Sequence, residues 1–444
     1  MSYTSDLTTG TISKHFIHLA APLIVGNILQ QLYNTIDAFI LGHYSGTLEF
    51  AAVGIAGSVM NLFLFMITGA CTGISVIFAQ LFGAKKESAF RREHWLSLMA
   101  GLTVTIICSC LGFLFLSPLL TVIKTPDTLI PFVTVYLHII LISLPAAFLY
   151  NLYNSLLRAI GHANAALLAL LIAVTTNLIL DYILIVDFHF GIKGAAWATA
   201  CSQIISAILC IIYLCHKVPN LIFTRKDCCM DRLLLQKTAY FSFITALHQS
   251  SLYIGKILIQ GAVNTSGTDL ISAYTATTRI EGFANSFGDS GCSATSVLTA
   301  QNLGAGKKDR IQKTFRCSLI LMILLGFLMS VLMYTSASTT VSFMLGENSG
   351  AAFENACAYM IMIALFYTLC FLGNTFAGYF DGIGCVSIPF IGSTCHIALR
   401  VLLSWILVGK MGLSAVALAT GLGWLSVNIL WAVIKYTKNH RHSS

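Results

Sequence analysis

Twelve long apolar runs, separated by charged residues or by clusters of Gly and Pro, constrain this chain more than any other feature. Each run reaches the roughly 20 residues that an α-helix needs to cross a lipid bilayer. We therefore predict an all-α membrane protein with twelve transmembrane helices. The predicted helices cover residues 14–42, 50–82, 94–117, 131–157, 164–186, 192–215, 236–262, 270–302, 314–345, 352–380, 387–408 and 412–436.

The composition supports the lipid environment. Of 444 residues, 57% are hydrophobic and only 9% are charged. A soluble chain of this length would need far more charged residues to cover its surface. The 14 Cys lie mostly singly inside apolar runs, and no pair repeats at the spacing of zinc ligands. We interpret them as small packing residues.

The distribution of Lys and Arg predicts the orientation. With both termini in the cytoplasm, the outer loops carry only Lys124, Lys193 and Lys410. The inner loops and ends carry Lys85, Lys86, Arg91, Arg92, Arg158, Lys217, Arg225, Lys226, Arg232, Lys237, Lys307, Lys308, Arg310, Lys313, Arg316, Lys435, Lys438 and Arg441. This bias follows the positive-inside rule and predicts a multi-pass protein of the cell (inner) membrane. The net charge of +8 is then explained by topology and anionic lipid, without nucleic acid.

The second half of the chain repeats the first at an offset of about 221 residues. The segments 79–86 and 300–307, 159–161 and 382–384, and 191–199 and 412–420 resemble each other. Because each half has an even number of spans, both have the same orientation, and a pseudo-two-fold axis along the membrane normal relates them. We predict an N-terminal lobe (1–215), a cytoplasmic linker (216–235) and a C-terminal lobe (236–444), with a transport cavity between the lobes. A duplicated scaffold without transport is the alternative.

The first helix carries a polar stripe. Asn27, Gln30, Asn34 and Asp37 are spaced to share one helix face. A carboxylate inside a bilayer costs about 2.5–3.5 kcal/mol on insertion scales and therefore needs a reason. The stripe predicts either the wall of a water-filled cavity or hydrogen bonds between helices.

Helices 5 and 6 add oxygen ligands at the depth of Asp37. Asn177 and Asp181 share one face of helix 5, and Ala195 and Thr199 share one face of helix 6. At about 1.5 Å per residue, Asp37, Asp181 and Thr199 lie within about 7–11 Å of the outer boundary. Carboxylate, amide and hydroxyl oxygens suit a hard cation such as Na⁺, and two neighbouring acids suit a proton. A purely structural hydrogen-bond cluster is the alternative.

The C-terminal lobe differs at the corresponding positions. Asp37 aligns with Ile257 or Leu258, Asn177 with Arg400, and Asp181 with Ser404. Helices 7 and 8 carry a second polar set, which comprises Gln249, Lys256, Gln260, Arg279, Glu281 and Asp289. Glu281 and Asp289 could neutralise two of the basic residues. These groups are interpreted either as pairs that stabilise the lobe or as walls of a substrate cavity.

Several motifs together resemble the MATE (multidrug and toxic compound extrusion) family over nearly the whole chain. They are Ala21-Pro22-Leu23, Gln31-Leu32-Tyr33-Asn34 with Asp37 and Gly42, Ala51-Ala52-Val53-Gly54, and Gln301-Asn302-Leu303-Gly304-Ala305-Gly306. The resemblance implies two six-helix lobes, a central cavity, alternating access, and efflux of varied, often cationic and aromatic compounds driven by Na⁺ or H⁺.

The resemblance also implies residue roles. A cation site would use Asp37, Asn177, Asp181, Thr199 and the backbone carbonyl of Ala195. Pro22 resembles a helix 1 proline associated with bending. One bacterial branch carries an acid on helix 7, where this chain has His248, Gln249 and Ser250, so the resemblance does not extend to a C-terminal cation site.

We therefore predict a secondary transporter that exports small organic compounds by Na⁺ or H⁺ antiport. Its substrate cavity would include Gln30, Asn34, Gln249, Lys256 and Arg279. We expect a monomer in the bilayer that needs no cofactor beyond the coupling ion. A flippase for a lipid-linked or polysaccharide precursor is the alternative, kept open by Lys256, Arg279 and Arg400. An enzyme is disfavoured because His-Glu-x-x-His and Gly-rich phosphate loops are absent, and a channel because no repeated filter residues occur.

Overall fold

The computed structural model describes residues 6–122 and 125–441, which form twelve long helices without any strand. Lys124, assigned above to an outer loop, lies outside these residues. The twelve-helix prediction is confirmed. The helices are α1 (Ile12–Tyr44), α2 (Thr47–Gly83), α3 (Glu87–Val122), α4 (Ile130–Ala159), α5 (Ala163–Asp181), α6 (Gly191–Lys217), α7 (Arg232–Asn264), α8 (Thr268–Gly304), α9 (Lys308–Leu345), α10 (Ala351–Gly382), α11 (Ser387–Met411) and α12 (Ser414–Arg441).

Two helices begin six or seven residues earlier than predicted, the largest differences among the helix starts. The sequence analysis started the third and ninth helices at residues 94 and 314, whereas α3 starts at Glu87 and α9 at Lys308. The basic residues assigned to the preceding loops therefore lie on helices: Arg91 and Arg92 on α3, and Lys308, Arg310, Lys313 and Arg316 on α9. The predicted boundary marked where apolar residues begin, but Lys, Arg and Glu are good helix formers, so the helices continue beyond it.

Ten of the helices in the described part of the chain are long and apolar enough to cross a membrane. The other two, α7 and α8, are of similar length but less apolar, because they carry many polar residues. These two helices hold the polar set of Lys256, Arg279, Glu281 and Asp289.

The helices form two compact units. The first includes Val25–Ala246, and the second includes Leu7–Ile24 together with the chain from Leu247 onward. In the first unit, α2, α4 and α6 enclose a buried core that contains Ala52, Val133 and Ala196. In the second unit, α9, α10 and α12 share a core built around Phe315, Phe380 and Trp431. The lobe and linker boundaries proposed from the sequence remain a prediction.

The internal repeat is visible in the backbone. Gly46 and Gly267 precede α2 and α8 with φ of 89° and 99°, and Gly161 and Gly384 follow α4 and α10 with φ of 85° and 82°. Only glycine adopts such angles without strain, so these turns fix equivalent points of the two halves. Gly191 and Gly412, with φ of 53° and 60°, form a third pair.

The segment from Leu7 to α1 belongs to the second unit. Lys307 Nζ donates a hydrogen bond of 2.8 Å to the Thr8 carbonyl. The Arg310 guanidinium donates to the carbonyls of Leu7, Thr9 and Gly10 at 2.8–3.2 Å. These basic residues therefore hold the segment before α1, in addition to their predicted role in topology.

The first half of α7 packs in the first unit. A Cβ at Gly73 of α2 would lie 2.5 Å from Thr245 Oγ1 and 2.6 Å from the Phe241 carbonyl oxygen of α7. The Thr238 hydroxyl of α7 lies 2.9 and 2.8 Å from the two carboxylate oxygens of Glu93, a residue with no exposed surface. Close contact with a glycine of α2 and a buried hydrogen bond to α3 thus hold the first half of α7 in this unit.

The segment between α6 and α7 is docked on α3. Arg91 Nε lies 2.9 Å from Asp227 Oδ2, and Arg91 Nη1 donates to the Asn220 carbonyl at 3.2 Å. His94, which is almost fully buried, lies 3.3 Å from the Leu221 carbonyl through Nδ1. This long polar loop is thereby part of the folded first unit.

Candidate functional site

The site is built at the end of α5. The helix ends at Asp181, and residues Tyr182–Asp187 continue it as a π-helix. A π-helix is uncommon and widens the turn, and it frequently occurs at functional sites. Here it changes the helical register directly after the carboxylate that the sequence analysis selected.

A second carboxylate positions the start of α6. The backbone N–H of Ile192 donates a hydrogen bond of 2.7 Å to Glu49 Oε2. A negative charge at a helix N-terminus is favourable, because the first N–H groups of the helix lack partners there. Glu49 thereby fixes the first turns of α6, where Ala195 and Thr199 lie.

Asp37 and Asp181 meet inside the first unit. Their carboxyl groups lie close enough to interact electrostatically, although α1 and α5 are far apart in sequence. Asp181 has 0% and Asn177 has 2% exposed surface, while Asp37 is half-buried. The structure therefore brings together three of the five residues proposed as cation ligands.

The polar atoms of this cluster lack donors and acceptors. Both carboxylate oxygens of Asp181, both side-chain amide atoms of Asn177, and Asp37 Oδ1 are buried without a hydrogen-bond partner. Buried polar groups are almost always hydrogen-bonded, because an unsatisfied group costs about 1–3 kcal/mol. Several such atoms in one place make this cluster the candidate site for binding a proton or a cation.

Two tyrosines complete the cluster, and the sequence analysis did not assign either to it. Tyr33, one helical turn before Asp37, lies near both carboxylates, with its hydroxyl within reach of Thr199. Tyr136 of α4 also lies near both carboxylates, and its hydroxyl donates to Met60 Sδ at 3.4 Å. The spacing of four residues between Tyr33 and Asp37 was the available signal. Nothing in the sequence pointed to Tyr136.

The donor set is chemically consistent with a hard cation or a proton. The available atoms are carboxylate, amide, hydroxyl and phenol oxygens, which Na⁺ accepts and softer transition metals do not prefer. In the described residues, no three His, Cys, Asp or Glu side chains form a metal-binding group. Two neighbouring carboxyl groups also favour the binding of one proton, because two negative charges close together repel each other.

The proposed substrate residues lie in both units. Gln30 and Asn34 of the first unit are exposed, as are Lys256 and Arg279 of the second, and Gln249 is half-buried. Pro22 is buried within α1, close to the point where this helix passes from the second unit to the first at Ile24 and Val25. The roles of these residues remain a prediction.

The acids of the second unit are only partly paired. Glu281 Oε1 accepts a hydrogen bond of 2.7 Å from the Tyr359 hydroxyl, and the charges of Arg400 and Lys256 lie nearby. Asp289 is near Lys256. Among the described residues, neither Glu281 nor Asp289 forms an ion pair with a nitrogen-to-oxygen distance of 4.0 Å or less.

The MatE family profile matches residues 22–183 and 243–406, more than half of the chain. The chain belongs to the MatE family. The members of this family are transporters, and the two matched segments correspond to the two repeats described above. The resemblance noted in the sequence is thereby confirmed.

Curated relatives agree with this assignment. The chain is 25% identical over 360 residues to the probable multidrug resistance protein YoeA of Bacillus subtilis, with 80% of this chain and 77% of YoeA covered. It is also 25% identical over 374 residues to the probable multidrug resistance protein YpnP of the same organism, with coverages of 84% and 82%. A crystal structure of MATE in the bent conformation superposes with a TM-score of 0.91 at 20% identity, over 100% of this chain and 99% of the other. The MatE fold, with two lobes, is therefore shown.

Proposed function

We propose that this MatE protein exports small organic compounds, often cationic and aromatic, in exchange for Na⁺ or H⁺ by alternating access. The observation that carries the proposal is the carboxyl pair of Asp37 and Asp181, in which Asp37 Oδ1 and both Asp181 oxygens are buried without a donor beside an equally unpartnered Asn177. The names of YoeA and YpnP support multidrug substrates. Both termini would lie in the cytoplasm of a cell whose inner membrane holds the protein.

In the proposed cycle, a cation enters from the outside and binds between Asp37 and Asp181. Asn177, Thr199 and the Ala195 carbonyl complete its coordination. Cation binding and substrate binding then favour different conformations of the transporter. This difference is sufficient to couple the movement of one to that of the other. Cation binding at Asp37 would change the bend of α1 at Pro22 and so move the rest of the helix. The bend is favoured there because proline removes one helical hydrogen bond.

The test is ethidium efflux from energised vesicles in which a sodium gradient and a pH gradient are imposed separately. Efflux with one gradient identifies the coupling ion. Asp181→Asn and Asp37→Asn keep the side-chain shape but remove the charge, and each should abolish cation-driven efflux while folding is retained. Asp187→Asn is the matched control, since Asp187 is exposed at the end of the π-helix and should transport normally.

Undiminished efflux by Asp37→Asn or Asp181→Asn would refute the assignment of the site. The absence of efflux under both gradients in the unmodified protein would refute cation-coupled drug export. The flippase alternative would then be tested with a fluorescent lipid-linked substrate in the same vesicles.

A further inference from the structure

The second unit contains a polar cluster, made of Glu281, Tyr359, Arg400 and Ser404, at the position that corresponds to the candidate cation site, and we call this cluster the second pocket. The glycine pairs of positive φ fix the alignment: Gly161 with Gly384, and Gly191 with Gly412. Between these points the first unit is two residues longer, and its π-helix Tyr182–Asp187 and the following loop lie after Asp181. Placing the two extra residues in this stretch aligns the chain before the π-helix without a gap.

In this alignment the tyrosine of the fourth helix is retained, whereas the two candidate cation ligands of the fifth helix are replaced by other residue types. Tyr136 corresponds to Tyr359, Asn177 to Arg400 and Asp181 to Ser404. Gly46 and Gly267, which precede α2 and α8, align Met60 with Glu281 in the same way.

Contacts support the correspondence independently of the sequence. In the first unit, the Tyr136 hydroxyl donates to Met60 Sδ at 3.4 Å. In the second unit, the Tyr359 hydroxyl donates to Glu281 Oε1 at 2.7 Å. The same two positions, one on the fourth helix and one on the second helix of each repeat, are thus in contact in both units.

The charged residues of the second pocket occupy different positions from those of the candidate cation site in the first unit. The acid of the fifth helix is replaced by Ser404, which has 0% exposed surface and an Oγ atom without a partner. The amide of Asn177 is replaced by the guanidinium of Arg400, which lies among Tyr274, Tyr359, Glu281 and Cys370 with its Nε buried and unpartnered. The negative charge comes instead from Glu281 on α8.

We propose that Arg400 is a tethered cation that takes the place of an exchangeable one, so that only the first unit exchanges cations. A guanidinium keeps its charge at any physiological pH and cannot leave the pocket. It neutralises Glu281 from within the pocket, which leaves no net negative charge to attract Na⁺ or H⁺. The inference rests on the proposed function in one respect, that Asp37 and Asp181 take up the coupling ion.

The other charged groups near the pocket act in the same direction. Lys256 of α7 lies near both Glu281 and Asp289, and it adds a second positive charge to balance the second acid. His396 lies near Arg400, one turn earlier on α11. A free cation would therefore enter a pocket in which each carboxylate already has a basic neighbour.

The inference is tested by cation binding to the purified full-length protein, with radioactive sodium and with proton uptake as the two probes. Asp181→Asn should remove the cation of the first unit. Adding Arg400→Asn, the residue found at the corresponding position of the first unit, should restore binding to the unmodified level, because Glu281 loses its fixed counter-charge. Adding Glu281→Gln to this double variant should abolish the restored binding.

A folded Asp181→Asn/Arg400→Asn variant that binds no more cation than Asp181→Asn would overturn the inference. If the unmodified protein and Asp181→Asn bind equally little, the proposed function fails, but the comparison between the single and double variants still decides the role of Arg400.

A second variant makes the test independent of whether a protein with Arg400→Asn folds. Glu281→Gln alone retains the side-chain shape and an acceptor oxygen for Tyr359. Since Glu281 carries no exchangeable cation, sodium binding and proton uptake per chain should equal those of the unmodified protein. A lower uptake of either cation would show that Glu281 exchanges a cation and would refute the proposal.

Discussion

Two buried carboxylates of the first unit differ in their hydrogen-bond donors, and this difference distinguishes a structural acid from a candidate ligand. Glu93 and Asp181 both have 0% exposed surface. Glu93 receives the Thr238 hydroxyl at 2.8–2.9 Å, which joins α3 to α7. Asp181 receives no donor on either oxygen, and its neighbour is another carboxyl group. Burial alone would not have distinguished them.

Tyr33 provides a prediction for the site. Its phenol group lies close to Thr199, Asp37 and Asp181. Tyr33→Phe should weaken the apparent cation affinity about two- to tenfold, since one hydrogen bond contributes about 0.5–1.5 kcal/mol. The measurement is the concentration dependence of cation-driven ethidium efflux.

Tyr182→Phe is the control for this variant, because Tyr182 begins the π-helix but is exposed. It should leave the affinity unchanged. Equal affinities for Tyr33→Phe and the unmodified protein would exclude Tyr33 from the site.

Asp227 provides a prediction with a defined pH dependence. Burial opposes its ionisation, but hydrogen bonds from Thr224 and the neighbouring Arg91 guanidinium lower the pKa of its carboxyl below the usual value. Its contribution to stability is therefore complete above the unfolded pKa of about 3.9 and is lost as the pH falls through the lower folded pKa. Docking of the α6–α7 segment should persist at neutral pH and fail only in strong acid, as hydrogen–deuterium exchange would measure.

At neutral pH, Asp227→Asn should release the same segment and accelerate tryptic cleavage after the exposed Arg225 and Lys226. Glu87→Gln is the control, since Glu87 forms only the 4.0 Å surface contact with Arg91. Such contacts contribute little to stability. An Asp227→Asn protein as resistant as the control would contradict the docking role.

At the scale of elements, α1 and α7 are each divided between the units. Residues up to Ile24 belong to the second unit and the rest of α1 to the first, whereas α7 passes from the first to the second after Ala246. Hydrogen bonds from Lys307 and Arg310 hold the segment before α1, and the glycines of α2 hold the first half of α7. The first helix of each repeat, α1 or α7, is thus divided between the two units.

Gly73 provides a prediction about α7. A methyl group there would overlap the Phe241 carbonyl and the Thr245 side chain, so the helices must separate. Gly73→Ala should destabilise the protein by about 1–3 kcal/mol, the range for overpacked cores. Thermal unfolding in detergent measures the change.

Gly54→Ala is the matched control, because Gly54 lies on the same helix with no atom within 4 Å of the added Cβ. It should be neutral or slightly stabilising, since alanine favours a helix over glycine. If both variants melt at the same temperature, the contact between α2 and α7 does not depend on Gly73.

At the scale of the whole molecule, the orientation in the membrane is open to test. Cys228 and Cys229 are free and exposed in the α6–α7 segment, which the distribution of Lys and Arg assigns to the cytoplasm. A membrane-impermeant maleimide should label them in inside-out vesicles and not in intact cells.

A Cys228→Ala/Cys229→Ala variant that carries Ser349→Cys is the control. Ser349 is exposed between α9 and α10, on the predicted outer side, and should show the opposite pattern. Labelling of Cys228 or Cys229 in intact cells would reverse the predicted orientation.

The sequence by itself determined the number of helices, the repeat and the polar stripe around Asp37. A bilayer offers the backbone no hydrogen-bond partners, so each long apolar run must form a helix whatever its neighbours. Helical periodicity likewise places Asn177 with Asp181, and Tyr33 with Asp37, without tertiary information.

Only the tertiary structure decided which helices meet. Tyr136 approaches Asp37 and Asp181 because α4 packs beside them, and its own sequence neighbourhood contains no polar pattern. The Glu49 contact at α6 and the second pocket around Arg400 also depend on contacts between segments distant in the chain. Sequence periodicity specifies which residues share a face of one helix. Which other helix that face contacts is decided by the packing of all the helices together.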